Sequence, residues 1–136
     1  MSDSETNLYA QLAADFDETH TLPSGLTYVT GEQVTRRLNE VLGFGAWSFE
    51  VKLFGYDEQS DSHWVLGRLE IPGDGIVREQ FGSQKVNRLR AAPHQPVDYG
   101  FDLKGATTDA FKKCATGLGV ALYLSQQRRW KPGACG

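Results

Sequence analysis

Three runs of alternating side chains lie close together in the middle of the chain. Trp47, Phe49, Val51 and Leu53 alternate with Ser48, Glu50 and Lys52. His63, Val65, Gly67, Leu69 and Ile71 alternate with Trp64, Leu66, Arg68 and Glu70. Val77, Glu79 and Phe81 alternate with Ile76, Arg78 and Gln80. A period of two is the mark of a strand, whose successive side chains point to opposite faces. The links are a polar, acidic loop at 55–62 and the turn Pro72-Gly73-Asp74-Gly75. Parallel strands need a crossover of a dozen residues or more, so links this short dictate an antiparallel meander. Both faces of the first two strands carry aromatic residues, which predicts that the sheet covers something on each side.

A meander needs a second layer to bury its apolar face. Three helical patterns can supply it. Leu8, Leu12 and Phe16 recur every four residues after a polar start at 1–6 that is expected to fray, and Pro23-Ser24-Gly25 closes that segment as a turn. Leu26 to Val29 reads as a short extended piece. Thr30-Gly31-Glu32-Gln33 is a capping box, in which hydroxyl and amide three residues apart satisfy each other's backbone N–H. Val34, Leu38, Val41 and Leu42 follow on one face, Arg36, Arg37 and Glu40 lie on the other, and Gly43 is placed for a left-handed C-terminal cap. Residues 82–101 read as irregular. A helix is predicted over 102–119, with Asp102 as N-cap and Gly119 as stop. Its row Ala106, Ala110, Cys114 and Leu118 faces the core, and such small residues let a helix lie close to a sheet. A second row, Lys104, Thr108, Lys112 and Thr116, faces outward with Lys113 beside it. That row suits either a phosphate backbone or plain hydration.

The chain has 136 residues and a net charge of −3, and its carboxylates and bases are segregated. Residues 1–75 hold 13 Asp and Glu against 4 Lys and Arg, whereas residues 76–136 hold 4 against 10. A basic half on an acidic chain fits a polyanion site or chance segregation of solvated cations. No apolar run reaches the roughly 18 residues of a membrane helix, so no membrane partner is expected. The first basic residue is Arg36, so no basic targeting peptide is expected at the start of the chain, and the 2 cysteines build no disulfide framework and fit a reducing compartment; a cytoplasmic protein is expected. The histidines and cysteines have no metal-ligand spacing, and no Walker lysine motif or GxSxG elbow occurs. No cofactor, metal or catalytic residue is therefore expected. One domain is expected, with an N-terminal helix and turn (1–25), a core (26–125) and a basic tail (126–136) carrying Arg128, Arg129, Trp130 and Lys131.

Two segments resemble a known family. Tyr28-Val-Thr-Gly-Glu-Gln-Val34 with Leu38-Asn-Glu-Val-Leu-Gly-Phe-Gly-Ala-Trp47 is similar to the first signature of the Rad fifty-two superfamily of single-strand annealing proteins. Ala106-Thr-Thr-Asp-Ala-Phe-Lys-Lys-Cys-Ala-Thr-Gly-Leu-Gly119, then Leu122-Tyr123, resembles the second. The blocks keep their order and bracket the meander, over roughly residues 26–125. The resemblance implies an α+β fold: a three-stranded antiparallel meander preceded by a helix and packed against a following long helix, a β-β-β-α core that oligomerises into a ring or helical arc. It implies single-stranded DNA held in a basic groove of that homo-oligomer and annealed to its complement without ATP, in recombination and double-strand break repair. A recombinase or a single-strand-binding protein is the further partner implied.

By the same resemblance, Lys104, Lys112 and Lys113 fall on DNA-contacting positions, and Asp109 on an acidic position with a structural role. Arg36 and Arg37 lie one turn beyond Gln33, where the family often has Arg; Thr116 also stands where Arg is common. Lys85, Arg88 and Arg90 join the DNA-binding set on charge alone. Three other functions fit the residues: a protein of the same fold that protects single-strand ends without annealing, a protein-interaction scaffold, and a small hydrolase using Cys114 or a carboxylate pair.

Overall fold

The computed structural model describes residues 3–128. The element order is α1 (Asp3–Ala13), β1 (His20–Thr21), β2 (Thr27–Tyr28), α2 (Gly31–Leu42), β3 (Ser48–Asp57), β4 (Ser62–Ile71), β5 (Ile76–Lys85) and α3 (Tyr99–Thr116), with 3-10 turns at Pro72–Asp74 and Leu122–Arg128. β3, β4 and β5 form an antiparallel sheet in that order, and α3 packs on it. The fold is α+β, as the alternating runs and the following helix predict. β1 and β2 form a separate two-stranded pair across the Pro23-Ser24-Gly25 turn.

The capping box closes as its residues dictate. The Gln33 N–H donates to Thr30 Oγ1 at 3.2 Å, and the Thr30 N–H donates to Gln33 Oε1 at 2.8 Å. Gly43 ends α2 at φ 96° and ψ 139°. That is a glycine conformation but not the left-handed helical cap expected, because the chain leaves α2 extended toward β3. α1 starts at Asp3, earlier than the expected frayed stretch, and Asp3 and Glu5 in its first turn suit the positive end of the helix. It stops at Ala13, so Phe16 lies beyond it.

Both outer strands run longer than their alternation suggests. β3 continues through Gly55, Tyr56 and Asp57, which pair with Trp64, His63 and Ser62. A bulge between Val51 and Leu53 shifts the side-chain alternation there, which hides the strand's second half from a period-two reading. β5 extends to Lys85, opposite Ser62. The region 82–101 is therefore part strand, part built loop and part helix.

α3 starts three residues early. Asp98, not Asp102, is its N-cap and accepts from the Phe101 N–H at 3.1 Å. Asp102 is wholly buried and accepts from both the backbone and the side-chain amide of Asn87, which ties the end of β5 to the helix. Two aspartates four residues apart offer the same local signal, and tertiary packing decides between them. The helix ends at Thr116 rather than Gly119, after which Gly117–Ala121 turn the chain back.

The expected buried row is buried: Ala106, Ala110 and Cys114 are at 0% exposure and Leu118 at 6%. α3 lies so close to β5 that a Cβ on Gly82 would sit 2.6 Å from the Ala106 carbonyl oxygen and 2.7 Å from Ala110 Cα. Trp47, just before β3, stacks on Phe111 at 5.8 Å and Phe49 in β3 meets it edge-on at 5.2 Å, so both pack against the core. The far face of the sheet differs from expectation. Trp64, Leu66, Phe81 and Leu53 share it, yet Phe81 and Leu53 remain 59% and 58% exposed, and none of the packed helices covers it.

Candidate nucleic-acid interface

Lys104, Thr108 and Lys112 lie one turn apart along the outer side of α3, so their side chains fall in line. They line an open groove of about 370 Å³ with Gln84 and Phe101. A second groove, of about 660 Å³, runs between α2 and α3 past Gly31, Thr35, Arg36, Asn39 and Phe44. The two meet at Thr108. Gly31 allows α2 to begin directly against α3, since a Cβ there would touch the Thr108 methyl at 3.0 Å.

The charge in these grooves is mixed but ordered. Lys104 and Lys112 define the α3 end. Lys112 Nζ lies 5.4 Å from the centre of the Tyr28 ring, a cation–π contact between α3 and β2. Lys113 lies one step toward β5 and is held 3.1 Å from Asp109. The same carboxylate oxygen accepts the Ser83 N–H at 2.9 Å, so Asp109 stitches α3 to β5 and orients Lys113 together. At the α2 end, Arg36 is exposed and flanked by Glu32 and Glu40.

The remaining cations chosen from the sequence are placed differently. Arg37 turns away from the groove. Its guanidinium sits 4.0 Å over the Phe16 ring and donates to the carbonyls of Leu12 at 2.9 Å and Ala14 at 2.8 Å, closing the C-terminal end of α1. Arg88 donates both arms of its guanidinium to Asp61, at 2.7 and 2.8 Å, and a third bond to the His94 carbonyl. That pairing holds the Asp61 carboxyl well below the usual carboxylate range and raises Arg88 further. Tyr56 also donates to Asp61 at 2.7 Å, and its hydroxyl is harder to ionise beside that charge. With the Asp102–Asn87 clamp, this cluster pins the start of the 86–98 loop, and the Val97 N–H, donating to the Asn87 carbonyl at 2.8 Å, ties the loop's far end back to it. Arg90 stands exposed on that loop, and Lys85 ends β5 beside Gln84. Arg128 opens the tail expected to be basic; Arg129, Trp130 and Lys131 lie outside the described residues.

Gln33 explains its own departure from the family pattern. Its amide is used in the capping box and donates to the Glu18 carbonyl at 2.6 Å, so the residue faces α2's start, not the groove. Thr116 donates its hydroxyl to the Lys112 carbonyl at 2.9 Å and so ends the outward row with an internal bond. Two aromatic residues at the grooves escape the sequence reading. Phe44 is 88% exposed and Phe101 63%. Phe44 stands between Gly43 and Gly45, an aromatic isolated between two glycines where neither neighbour can shield it, and that signal was available. Burial pushes the Cys114 thiol up, which is the wrong direction for a nucleophile. Among the described residues no group of three His, Cys, Asp or Glu is arranged to hold a metal ion, and no helix is long and apolar enough to cross a membrane.

A model of the Rad52/22 family of double-strand break repair proteins matches residues 2–133. The DNA repair and recombination protein RAD52 of Candida glabrata is 30% identical over 105 residues, covering 73% of this chain and 20% of that protein. The protein of the same description in Saccharomyces cerevisiae is 30% identical over 105 residues, covering 73% of this chain and 22% of its own. The chain thus spans about a fifth of the length of these curated relatives.

Proposed function

Because the chain belongs to the Rad52/22 family of double-strand break repair proteins, we propose that it binds single-stranded DNA along the α3 groove and anneals complementary strands in recombination and repair, as a homo-oligomer and without catalysing a covalent step. The observation that carries this reading is the line of Lys104, Thr108 and Lys112 along an open groove, with Lys113 held beside it. Ammonium and hydroxyl groups at one-turn spacing match the repeating acceptors of a phosphate backbone. Phe44 and Phe101 offer flat faces near those cations, and a base can stack on either. Arg36 extends the cationic track toward Phe44. Arg37 and Arg88 we assign to the fold, since their guanidiniums are bonded to carbonyls and to Asp61.

Annealing makes no covalent bond. The obstacles are phosphate repulsion and strands folded on themselves. A basic groove lowers the first and prevents the second by holding the strand extended. Pairing and stacking drive the reaction, at about 1.4 kcal/mol per step. One subunit supplies few cations, so tight binding to a long strand calls for several subunits acting through effective concentration. The test is to mix complementary oligonucleotides with the protein, without ATP, and follow duplex formation by fluorescence quenching. Acceleration over the protein-free rate is expected. Strand binding with no acceleration would leave an end-protecting role instead, and no binding at all would remove the DNA reading.

A further inference from the structure

The face of the sheet turned away from α3 is built in bands. Leu53, Leu66 and Phe81 form one row across its three strands, and Gly55, Trp64 and Ser83 form the next. Gly55 lets the Trp64 indole lie across β3, since a Cβ there would stand 2.6 to 2.9 Å from its ring atoms. Trp64 also meets Phe81 edge-on, with ring centres 6.0 Å apart. These four side chains make an apolar floor whose outer members, Leu53 and Phe81, are 58% and 59% exposed. A charged band lies beside it. Glu50, Arg68 and Glu79 share a row, and Glu70 adjoins them in the next. Arg68 lies within 4.0 Å of all three carboxylates, and Lys52 reaches Glu50 at 3.9 Å. Three carboxylates thus share two cations, and all three remain open to solvent. The helix that packs on the sheet, α3, takes the other face.

We infer that this face docks an amphipathic helix of a protein other than this chain, with large apolar side chains at i and i+3 or i+4 and a Lys or Arg one turn beyond them. Size favours a single helix. At about 4.8 Å between strands and about 6.8 Å between rows, the two apolar rows cover roughly 200 Å² of sheet. A stable contact between two globular copies takes about 800 Å² from each, whereas one helix, about 10 Å across with its side chains, spans the three strands. Direction follows from the other face, where α3 runs along β5 with Gly105 against Gln84 and Gly117 against Arg78. A second helix laid along the strands in this way meets the charged band one row, about 6.8 Å, beyond its apolar anchors. That is close to a helical turn of about 5.4 Å. A cation at this place faces Glu50, Glu70 and Glu79, and an acidic residue there is repelled. The docked helix leaves the α3 groove free, so the inference stands or falls apart from the DNA reading.

The test is a selection of phage-displayed amphipathic helical peptides on the full chain, with the enriched peptides synthesised and their affinity measured by fluorescence anisotropy. Peptides carrying the apolar pair with Lys or Arg one turn beyond are expected to dominate. Leu53→Glu and Phe81→Glu should each weaken them by at least about tenfold. Changing Glu50, Glu70 and Glu79 together to Gln should weaken them about threefold at low salt and abolish the preference for Lys over Gln at the basic position. Circular dichroism checks that each variant folds; Leu53→Ser and Phe81→Ser replace either that does not. All variants should sediment as the wild type does. No enrichment over the starting library, or equal binding to the wild type and to both apolar-floor variants, overturns the proposal. So does a floor variant that loses the wild type's assembly, because a second copy then occupies the face. A wild type that binds the peptides and ignores single-stranded DNA removes the DNA reading and leaves this one standing.

Discussion

Gly82→Ala tests the seam on which the fold depends. Gly82 lies in β5 opposite Val65, directly beneath α3. The added methyl would stand 2.6 Å from the Ala106 carbonyl oxygen and 2.7 Å from Ala110 Cα, where ordinary contact begins at 3.4 Å. These atoms are helix backbone and cannot rotate aside. α3 must therefore lift by most of an ångström. A gap of that size forfeits roughly a quarter to a half of each dispersion contact along the seam. Val65, Ala106, Ala110 and Cys114, all at 0% exposure, sit in it. Overpacking of this kind costs typically about 1–3 kcal/mol; with a rigid helix on one side and a paired strand on the other, about 3 kcal/mol is expected here. For a domain of this size that lowers the melting temperature by on the order of 10 °C. The assay is thermal unfolding followed by circular dichroism, with Gly73→Ala as control because a Cβ there meets nothing within 4 Å. A Gly82→Ala melting temperature equal to the control's would refute the close-packed seam.

Other perturbations separate residues that build the fold from residues that serve it. Arg37→Ala should destabilise by about 1–3 kcal/mol, since it removes charge-assisted bonds to the α1 carbonyls and the stack on Phe16; Arg36→Ala should leave urea unfolding within about 0.5 kcal/mol and weaken strand binding instead. Thr30→Ala opens the capping box and should cost about 1 kcal/mol by the same measurement. Asp61→Asn should lower stability at neutral pH. The folded Asp61 carboxyl is depressed, so its contribution is full above the unfolded value of about 3.9 and declines as pH falls below it. Wild type and Asp61→Asn should therefore differ at pH 7 and converge in strong acid; a difference that grows on acidification would contradict the Asp61–Arg88 pin.

Much of this architecture was legible before any coordinates. Alternation fixes β4 completely, because every second residue from His63 to Ile71 is buried under α3. The Thr30–Gln33 box marks the start of α2 because cap chemistry is local. The small-residue row of α3 announced the close seam. What failed to show depends on distant partners. A bulge in β3 broke the period that would have carried the strand to Asp57. Asp102 looked like a cap because nothing local reveals that Asn87 will meet it. Charge alone could not distinguish Arg88, bound to Asp61, from Arg90, exposed on the same loop. Of the cations proposed for DNA, Lys104 and Lys112 share a groove through helical spacing, whereas Arg37 is drawn to α1 by carbonyls 22 to 26 residues away in sequence.

The most direct measurement is the affinity for single-stranded DNA across a salt series, for the wild type and for the variant with Lys104, Lys112 and Lys113 all changed to Ala. Single-strand binding loses about 0.7 in its logarithmic salt slope for each phosphate contact removed. The variant should bind more weakly, with a slope shallower by about 2 per subunit engaged, and should melt near the wild-type temperature. Equal affinity and equal slope in the two proteins would place the strand somewhere other than α3.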